Sequence, residues 1–292
     1  MGLKSYFIMK KIIVTFISFS MLAYFGLTIA RTSPSEHLSS IEGDKSKGAY
    51  IYAAAGCANC HKTKGSKDKM TLAGGQSFKS DFGTFYAPNV SMSKSHGIGT
   101  WTLEQFSNAV REGVSPEGDH YFPAFPYTAY SNMTDQHLVD LWAFWNTLPK
   151  SENESKAHEL VWPLSMRTNV GIWKLLFYKQ DIVSQPDTRG AYLVEVLGHC
   201  AECHTPRNRL GALDTNQWME GALHPSGRGK IPGITPSILN WTTDDIVEYL
   251  ESGFTPEFDM VGGHMAEVIE NTSQLTEEDR MAIAIYLTNL SG

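Results

Sequence analysis

The sequence contains Cys57-Ala-Asn-Cys60-His61 and repeats this pattern 143 positions later as Cys200-Ala-Glu-Cys203-His204. C-x-x-C-H is the attachment signature of a c-type haem. Its two thiols reach the two vinyl groups of one porphyrin, and the histidine that follows binds the iron as proximal ligand. We therefore predict two covalently bound haems, with His61 and His204 as the proximal ligands. A zinc half-site or a redox dithiol is the alternative use of such a motif.

The two motifs belong to a longer internal repeat. Gly-Ala-Tyr precedes both, at positions 48–50 and 190–192, and Trp-Thr recurs at 101–102 and 241–242. A threonine also precedes the last segment with helical apolar spacing in each half, at Thr134 and at Thr276. Each half therefore predicts a haem-bearing helix, a middle helix opening on Trp-Thr and a C-terminal helix with a threonine cap. The expected fold is all-α.

Cysteine count and charge narrow the possible functions. All four cysteines lie in the two motifs, which leaves none for a disulfide or a distal iron ligand. The net charge is −7, and residues 31–292 carry −10, because the first 30 residues hold three lysines and no acid. An acidic body argues against nucleic acid and against docking on anionic lipid. It suits a positively charged redox partner, and ordinary solubility is the alternative explanation.

Residues 1–30 are predicted to be an export signal peptide or a membrane anchor. Lys10-Lys11 precede 19 uncharged residues, from Ile12 to Ala30. As a helix this run would span about 28 Å, enough to cross a bilayer. Small residues at 28–30 offer a cleavage site, but the length of the run favours an uncleaved anchor. We expect the remaining chain in the periplasm, anchored to the cytoplasmic membrane.

The rest of the chain divides into four predicted segments. Residues 31–42 form a polar tether, 43–150 the first haem domain, 151–186 an interdomain linker and 187–292 the second haem domain. The linker contains two apolar stretches, at 161–163 and 172–178. We expect these stretches to join the two haem domains, and contact with a membrane or a partner is the alternative.

The second haem has a clear candidate for its sixth ligand. Met265 follows two glycines, in Gly262-Gly-His-Met-Ala266, 11 residues before the Thr276 cap. Glycines let a loop pass close to the porphyrin, and a methionine thioether favours ferrous iron. We predict a His204/Met265 pair of ligands. His264 and Met260 are the alternatives.

The sixth ligand of the first haem is harder to find. The comparable loop, Tyr121 to Tyr127, contains no methionine. We predict Met133, which directly precedes the Thr134 cap, as the ligand. His120 and Met92 are the alternatives, and Met133 also fits a purely apolar contact with the helix that follows it.

Eight further segments carry a family resemblance. In the first half these are Phe82-Gly-Thr-Phe-Tyr-Ala-Pro-Asn89, Gly97-Ile-Gly-Thr-Trp101, Arg111-Glu-Gly-Val-Ser-Pro116 and Tyr121-Phe-Pro-Ala-Phe-Pro-Tyr127. In the second half they are Cys203-His-Thr-Pro-Arg-Asn208, Gly211-Ala-Leu-Asp214, Gly253-Phe-Thr-Pro256 and Gly262-Gly-His-Met-Ala-Glu267. With both haem motifs, they resemble exported dihaem cytochromes c built from two class I cytochrome c domains. These are similar to the cytochrome subunits of periplasmic alcohol, aldehyde and gluconate dehydrogenases.

The resemblance implies an electron-transfer protein without catalysis of its own. Its partners would be a periplasmic dehydrogenase as donor and a cytochrome, quinone or oxidase of the respiratory chain as acceptor. The sequence departs from the family at three places. It has two haem motifs where the dehydrogenase subunits usually have three, Phe125 where they commonly have methionine, and Pro232-Gly233 where the first half has Pro88-Asn89. The last departure predicts that the second haem is held differently.

Two other classes of function remain. A dihaem enzyme, such as a peroxidase or a sulfur-compound oxidase, needs one iron with a labile sixth ligand, and only Phe125 favours it. A structural zinc protein would be colourless.

Overall fold

The computed structural model describes residues 36–178, 188–224 and 229–290. The predicted signal or anchor segment and residues 31–35 of the predicted tether lie outside these ranges. Ser35 to Gly292 form one compact unit, so both halves of the repeat belong to the same body. Within the described ranges, no helix is both long enough and apolar enough to cross a membrane.

The helices of the first half follow the predicted order. They are α1 (Lys45–Ala54), α2 (Cys57–His61), α3 (Leu103–Ser107), α4 (Tyr127–Tyr130) and α5 (Asp135–Trp145). A 3-10 turn, Glu36–Ser40, precedes α1. Helix α3 continues into a π-helical turn, Asn108–Glu112.

The linker and the second half supply the remaining described helices. They are α6 (Arg167–Phe177), α7 (Arg189–Ala191), α8 (Ala201–His204), α9 (Pro236–Leu239), α10 (Thr243–Ser252), α11 (Gly263–Thr272) and α12 (Glu277–Thr288). Helix α7 continues into a π-helical turn, Tyr192–Leu197, and a 3-10 turn spans Thr215–Gln217.

The prediction of an all-α fold is wrong, because the described residues also form two small antiparallel sheets. One contains β1 (Ser77–Ser80), β2 (Gly83–Tyr86) and β3 (Glu159–Leu160) in that order, and the other pairs β4 (Ala222–Leu223) with β5 (Lys230–Ile231). Strands of two to four residues are too short to show the alternation that identifies a strand in a sequence. The fold is therefore mixed, with helices around the haem motifs and short strands in the connections.

Threonine caps start the middle and C-terminal helices of both halves, as predicted. The Thr102 and Thr242 side chains accept from the backbone N–H three residues on, and Gln105 and Asp245 complete a capping box. The C-terminal helices α5 and α12 begin after Thr134 and Thr276, which cap them in the same way. These bonds satisfy amide groups that a helix start leaves without partners.

The recurring Gly-Ala-Tyr has a packing reason at its glycine. A Cβ added at Gly48 would lie 2.0 Å from the Asp140 carbonyl oxygen of α5, and one added at Gly190 would lie 2.2 Å from the Ala282 oxygen of α12. Only glycine therefore lets the helix that precedes each C-x-x-C-H motif cross its C-terminal helix this closely. Each half is built around this crossing.

The tyrosine of Gly-Ala-Tyr connects the two halves. The Tyr50 hydroxyl of the first half accepts from the backbone N–H of Thr276, at 3.2 Å. The Tyr192 hydroxyl of the second half accepts from the backbone N–H of Thr134, at 3.3 Å. The segment that precedes each motif thus supports the start of the other half's C-terminal helix. The repeat in the sequence becomes a reciprocal interface.

Candidate haem sites

The first attachment motif lies on the short helix α2. Gly56, in the left-handed region at φ 60°, turns the chain out of α1, and Cys57 begins the new helix. Cys57 and Cys60 are one helical turn apart and neither is in a disulfide. His61 ends the helix. The motif therefore presents two thiols and an imidazole within five residues.

His61 is held at its ring and at its backbone. Its Nδ1 lies 3.1 Å from the Pro88 carbonyl oxygen, and its own carbonyl accepts from Gly74 N–H at 2.8 Å. Because a carbonyl only accepts, Nδ1 carries the proton and donates it. The other ring nitrogen, Nε2, is left to bind iron, as in histidine ligands oriented by a carbonyl.

His204 is held in the same way in the second half. Its Nδ1 donates to the Pro232 carbonyl at 2.7 Å, and its carbonyl accepts from Gly221 N–H at 2.7 Å. The change from Pro88-Asn89 to Pro232-Gly233 therefore leaves this contact intact, since the backbone makes it. At the histidine, the two motifs are therefore held alike, and the different holding of the second haem at its edge stays a prediction.

The ionisation of these groups suits haem attachment. Burial, helped by Cys60, raises the pKa of the Cys57 thiol to about 12. Burial, helped by Cys203 within its own motif, raises that of Cys200 to about 12. These thiols are thus protonated at neutral pH in the chain without a bound group. Within the described ranges, no three His, Cys, Asp or Glu side chains are grouped to hold a metal ion.

The proximal histidines are in their ligating form. Burial lowers the pKa of His61 and of His204, and the hydrogen bond to the proline carbonyl only partly opposes it. Both imidazoles are therefore neutral near pH 7, which is the state that binds iron. Two protonated thiols and one oriented neutral imidazole in each motif fit a covalently attached haem.

Met265 faces inward from the first turn of α11. It is half-buried and packs against the hydrophobic core. The two alternatives point elsewhere: His264 is exposed, with its ring stacked 6.0 Å from that of His224, and Met260 is 74% exposed. The placement favours Met265 as the distal ligand.

Met133 is buried beneath the start of α5. Its N–H donates to the Tyr130 carbonyl at 2.9 Å, and its own carbonyl accepts from the Arg111 guanidinium. Arg111 in turn pairs with Asp135 at 2.6 Å. The ligand role of Met133 stays a prediction, and these surroundings favour the alternative of an apolar packing residue.

His120 directly precedes the loop that leads to α4, and Met92 lies in a different loop. The His120 ring lies against α6, where a Cβ on Gly171 would be 3.1 Å from its Nε2. Arg167 donates to the His120 carbonyl at 3.0 Å. Met92 is half-buried four residues after Pro88, in the loop that holds the proximal His61.

Sequence reasoning missed the contacts that surround each motif from the other half. Asn271 of α11 donates to Asn59 at 3.1 Å, and Lys62 pairs with Glu267 at 2.7 Å. Reciprocally, Thr128 of α4 donates to Glu202 at 3.2 Å. The sequence signal for these contacts was the polar residue directly before the second cysteine of each motif. The side chains at these positions, Asn59 and Glu202, accept hydrogen bonds from the other half.

Comparison with known proteins agrees with this geometry. The model of the cytochrome c family matches residues 46–149. A protein described as "Diheme cytochrome c-type", from Cereibacter sphaeroides, is 46% identical over 271 residues, which is 90% of this chain and 92% of that protein.

Two dehydrogenase subunits are also similar. The fructose dehydrogenase cytochrome subunit of Gluconobacter japonicus is 40% identical over 272 residues, and the cytochrome c subunit of the quinone alcohol dehydrogenase of Gluconacetobacter polyoxogenes is 34% identical over 293 residues. These alignments cover 89% and 94% of this chain but only 54% and 60% of the subunits. The oriented histidines, the protonated thiol pairs and these relatives together show that the chain belongs to the dihaem c-type cytochromes.

Proposed function

We propose that the chain binds two haems c and relays single electrons between a periplasmic dehydrogenase and a cytochrome, quinone or oxidase of the respiratory chain. Haem supplies the one-electron oxidation and reduction of its iron. The dehydrogenase partner is suggested by the names of the related subunits, which are longer than this chain. A relay of electrons between two haem sites of one chain requires that the two sites lie close together.

The observation that carries the proposal is the meeting of the two motifs at the interface. After burial, the nearby Cys203 thiol is the next cause that raises the pKa of Cys60. The Tyr130 ring, buried in the first half, lies 5.5 Å from the ring of His199, which directly precedes the second motif. The two motifs therefore lie on facing sides of the interface between the halves. Haems attached there would be neighbours.

The protein's own residues hold this arrangement still. Lys69 binds two residues of α11, Glu270 at 3.0 Å and Asn271 at 3.0 Å. With the Lys62–Glu267 pair, these contacts fix the helix that carries Met265 against the first motif. A fixed separation, together with the fixed ligands of the second haem, keeps the structural change on electron transfer small. We propose His61 and His204 as proximal ligands and Met265 as the distal ligand of the second haem.

Helix α6 supports a position at the outer face of the cytoplasmic membrane. Its polarity is the reverse of that of an ordinary surface helix, because the charged Lys174 is buried whereas the apolar Leu175 and Leu176 are 70% and 61% exposed. Nearby Trp162 is 77% exposed, and no carboxylate occurs from residue 160 to residue 180 of this otherwise acidic chain. Exposed leucine and tryptophan with only basic charges are typical of a segment lying in a lipid interface. The proposed occupant of this surface is the bilayer that holds the predicted anchor.

The proposal is tested by haem content and by redox titration of the whole protein. A pyridine haemochrome assay should give two haems per chain that acid-acetone does not extract. Met265→Ala should lower the potential of one haem only and abolish the sulfur-to-iron charge-transfer band, because ferrous iron loses a soft ligand. Met260→Ala is the matched control and should change neither. One haem per chain, or extractable haem, contradicts the proposal.

A further inference from the structure

The two halves contain corresponding distal segments, bounded by the same contacts. After the middle helix, Tyr121 N–H donates to the Gly113 carbonyl at 2.7 Å, and in the second half Val261 N–H donates to the Gly253 carbonyl at 2.8 Å. These two bonds mark equivalent starting points, because each closes the turn after its middle helix. The segment that begins at Tyr121 or at Val261 is the candidate for the haem face opposite the proximal histidine of its half.

The same glycines mark the ends of the segments. A Cβ added at Gly113 would meet the Tyr127 ring at 2.4 Å. One added at Gly253 would meet Val261 at 2.7 Å and then the Ile269 side chain at 3.5 Å, and both Tyr127 and Ile269 lie seven residues before a threonine cap. Tyr127 and Ile269 therefore occupy equivalent places. The segment from 261 to 269 contains Met265, whereas the segment from 121 to 127 contains no sulfur.

Phe125 is the large apolar side chain of the first segment. Its ring lies among three tyrosines, with centroid distances of 6.2 Å to Tyr121, 6.4 Å to Tyr127 and 5.9 Å to Tyr130. Tyr130 is close to the attachment motif, since its hydroxyl donates to the carbonyl of Ala55, two residues before Cys57, at 2.9 Å. The aromatic cluster therefore lines the first haem site in the part where Met265 lines the second.

Met133 corresponds to a different residue of the second half. It directly precedes the Thr134 cap, as Leu275 directly precedes the Thr276 cap. Both are buried, and each donates its N–H to the carbonyl three residues earlier, at 2.9 Å for Met133 and 3.1 Å for Leu275. Since a leucine performs this role in one half, the position is one of packing.

We propose that His61 is the only residue of the described chain that binds the first iron, and that the opposite face binds a small exogenous ligand. The aromatic wall of Phe125 and its three tyrosines suits a small uncharged molecule of the carbon monoxide type, or water in its absence. This inference rests on the proposed attachment of a haem to Cys57 and Cys60. The second haem would then be closed, with two ligands from the protein, and the first haem would be open, with one.

The test uses the full chain with both haems attached. Carbon monoxide is added to the reduced protein, and spin states are read from magnetic and absorption spectra. One of the two haems should be high-spin and bind carbon monoxide, and Phe125→Met should convert that haem to a low-spin form that does not. Met133→Leu, which copies Leu275, should leave the wild-type spectra and the carbon monoxide binding unchanged.

Two results would overturn the inference. The first is a wild-type protein with two low-spin haems, neither of which binds carbon monoxide. The second is a Met133→Leu protein that gains a high-spin haem absent from the wild type, since Met133 is then the ligand. Failure of the two-haem proposal looks different, because the peptide containing Cys57 and Cys60 then carries no haem mass.

Discussion

Lys174 shows how one residue links the linker helix to a haem-bearing half. Its ammonium donates to the carbonyls of Glu112 and Gly113 and lies 4.5 Å from the centre of the Tyr127 ring. Burial lowers its pKa to about 8, and the nearby Glu112 only partly opposes this. The ordinary pKa of a lysine is about 10.4.

This shift predicts a pH dependence of stability. Between about pH 8 and about pH 10.4 the unfolded chain holds the Lys174 proton and the folded chain has released it. The free energy of unfolding should therefore rise with pH across this window, and the rise should be missing in Lys174→Met. Urea unfolding at several pH values measures it, with exposed Lys156→Met as the matched control. Equal pH slopes for all three proteins contradict the assignment.

Single residues explain why the haem motifs were predictable and the first distal ligand was not. Cys57, Cys60 and His61 act through local spacing, which a sequence displays directly. Met133 is the sulfur nearest to the methionine-free loop in the sequence. Its carbonyl accepts from Arg111, 22 positions earlier, and no local pattern shows this contact. Phe125 becomes informative only beside Met265, once hydrogen bonds align the two segments.

The reciprocal tyrosines make a prediction for the helices. Tyr50→Phe removes the acceptor at the start of α12 and a donor to Asp279, and Tyr192→Phe removes the acceptor at the start of α5. Each change should lower the free energy of unfolding by about 1–2 kcal/mol, because an amide at a helix start loses its partner. Urea unfolding monitored by circular dichroism measures the effect.

The control for these variants is Tyr249→Phe. Tyr249 lies within α10, and its ring packs edge-on against Trp241 with the ring centres 5.0 Å apart. No inter-half contact of the described chain involves its hydroxyl, so the change should cost less than about 0.5 kcal/mol. If Tyr50→Phe and Tyr192→Phe are no more costly than this control, the tyrosines do not support the interface.

Helices and strands differed in how far the sequence predicted them. Thr134 and Thr276 identify their helices because a cap and an apolar stripe are local signals. Strand β3 pairs Glu159 with Thr84, 75 positions earlier, and has only two residues. Pairing over such a distance depends on how the linker runs back along the first half. The all-α prediction was wrong because β3 pairs at long range and because the locally paired strands, of two to four residues, are too short to show a strand pattern.

At the scale of the whole molecule, two separate segments are predicted to contact the membrane. One is the uncharged run from Ile12 to Ala30, and the other is the apolar surface of residues 161–177. The anchor predicts that the protein sediments with membranes and that its N-terminus is retained. Release by osmotic shock, with a mature chain beginning near Arg31, contradicts the anchor and supports a cleaved signal peptide.

The surface of residues 161–177 predicts a second, independent lipid contact. In native membranes, a phospholipid with a photoactivatable group in its acyl chain should label peptides from this surface, because Trp162, Leu175 and Leu176 are exposed apolar side chains. The peptide around Leu223 is the matched control, since this leucine is 74% exposed but lies in a short hairpin of the second half. Label in residues 12–30 alone would show that α6 faces water or another protein. Label in both segments, with none at Leu223, would place α6 in the lipid interface beside the anchor.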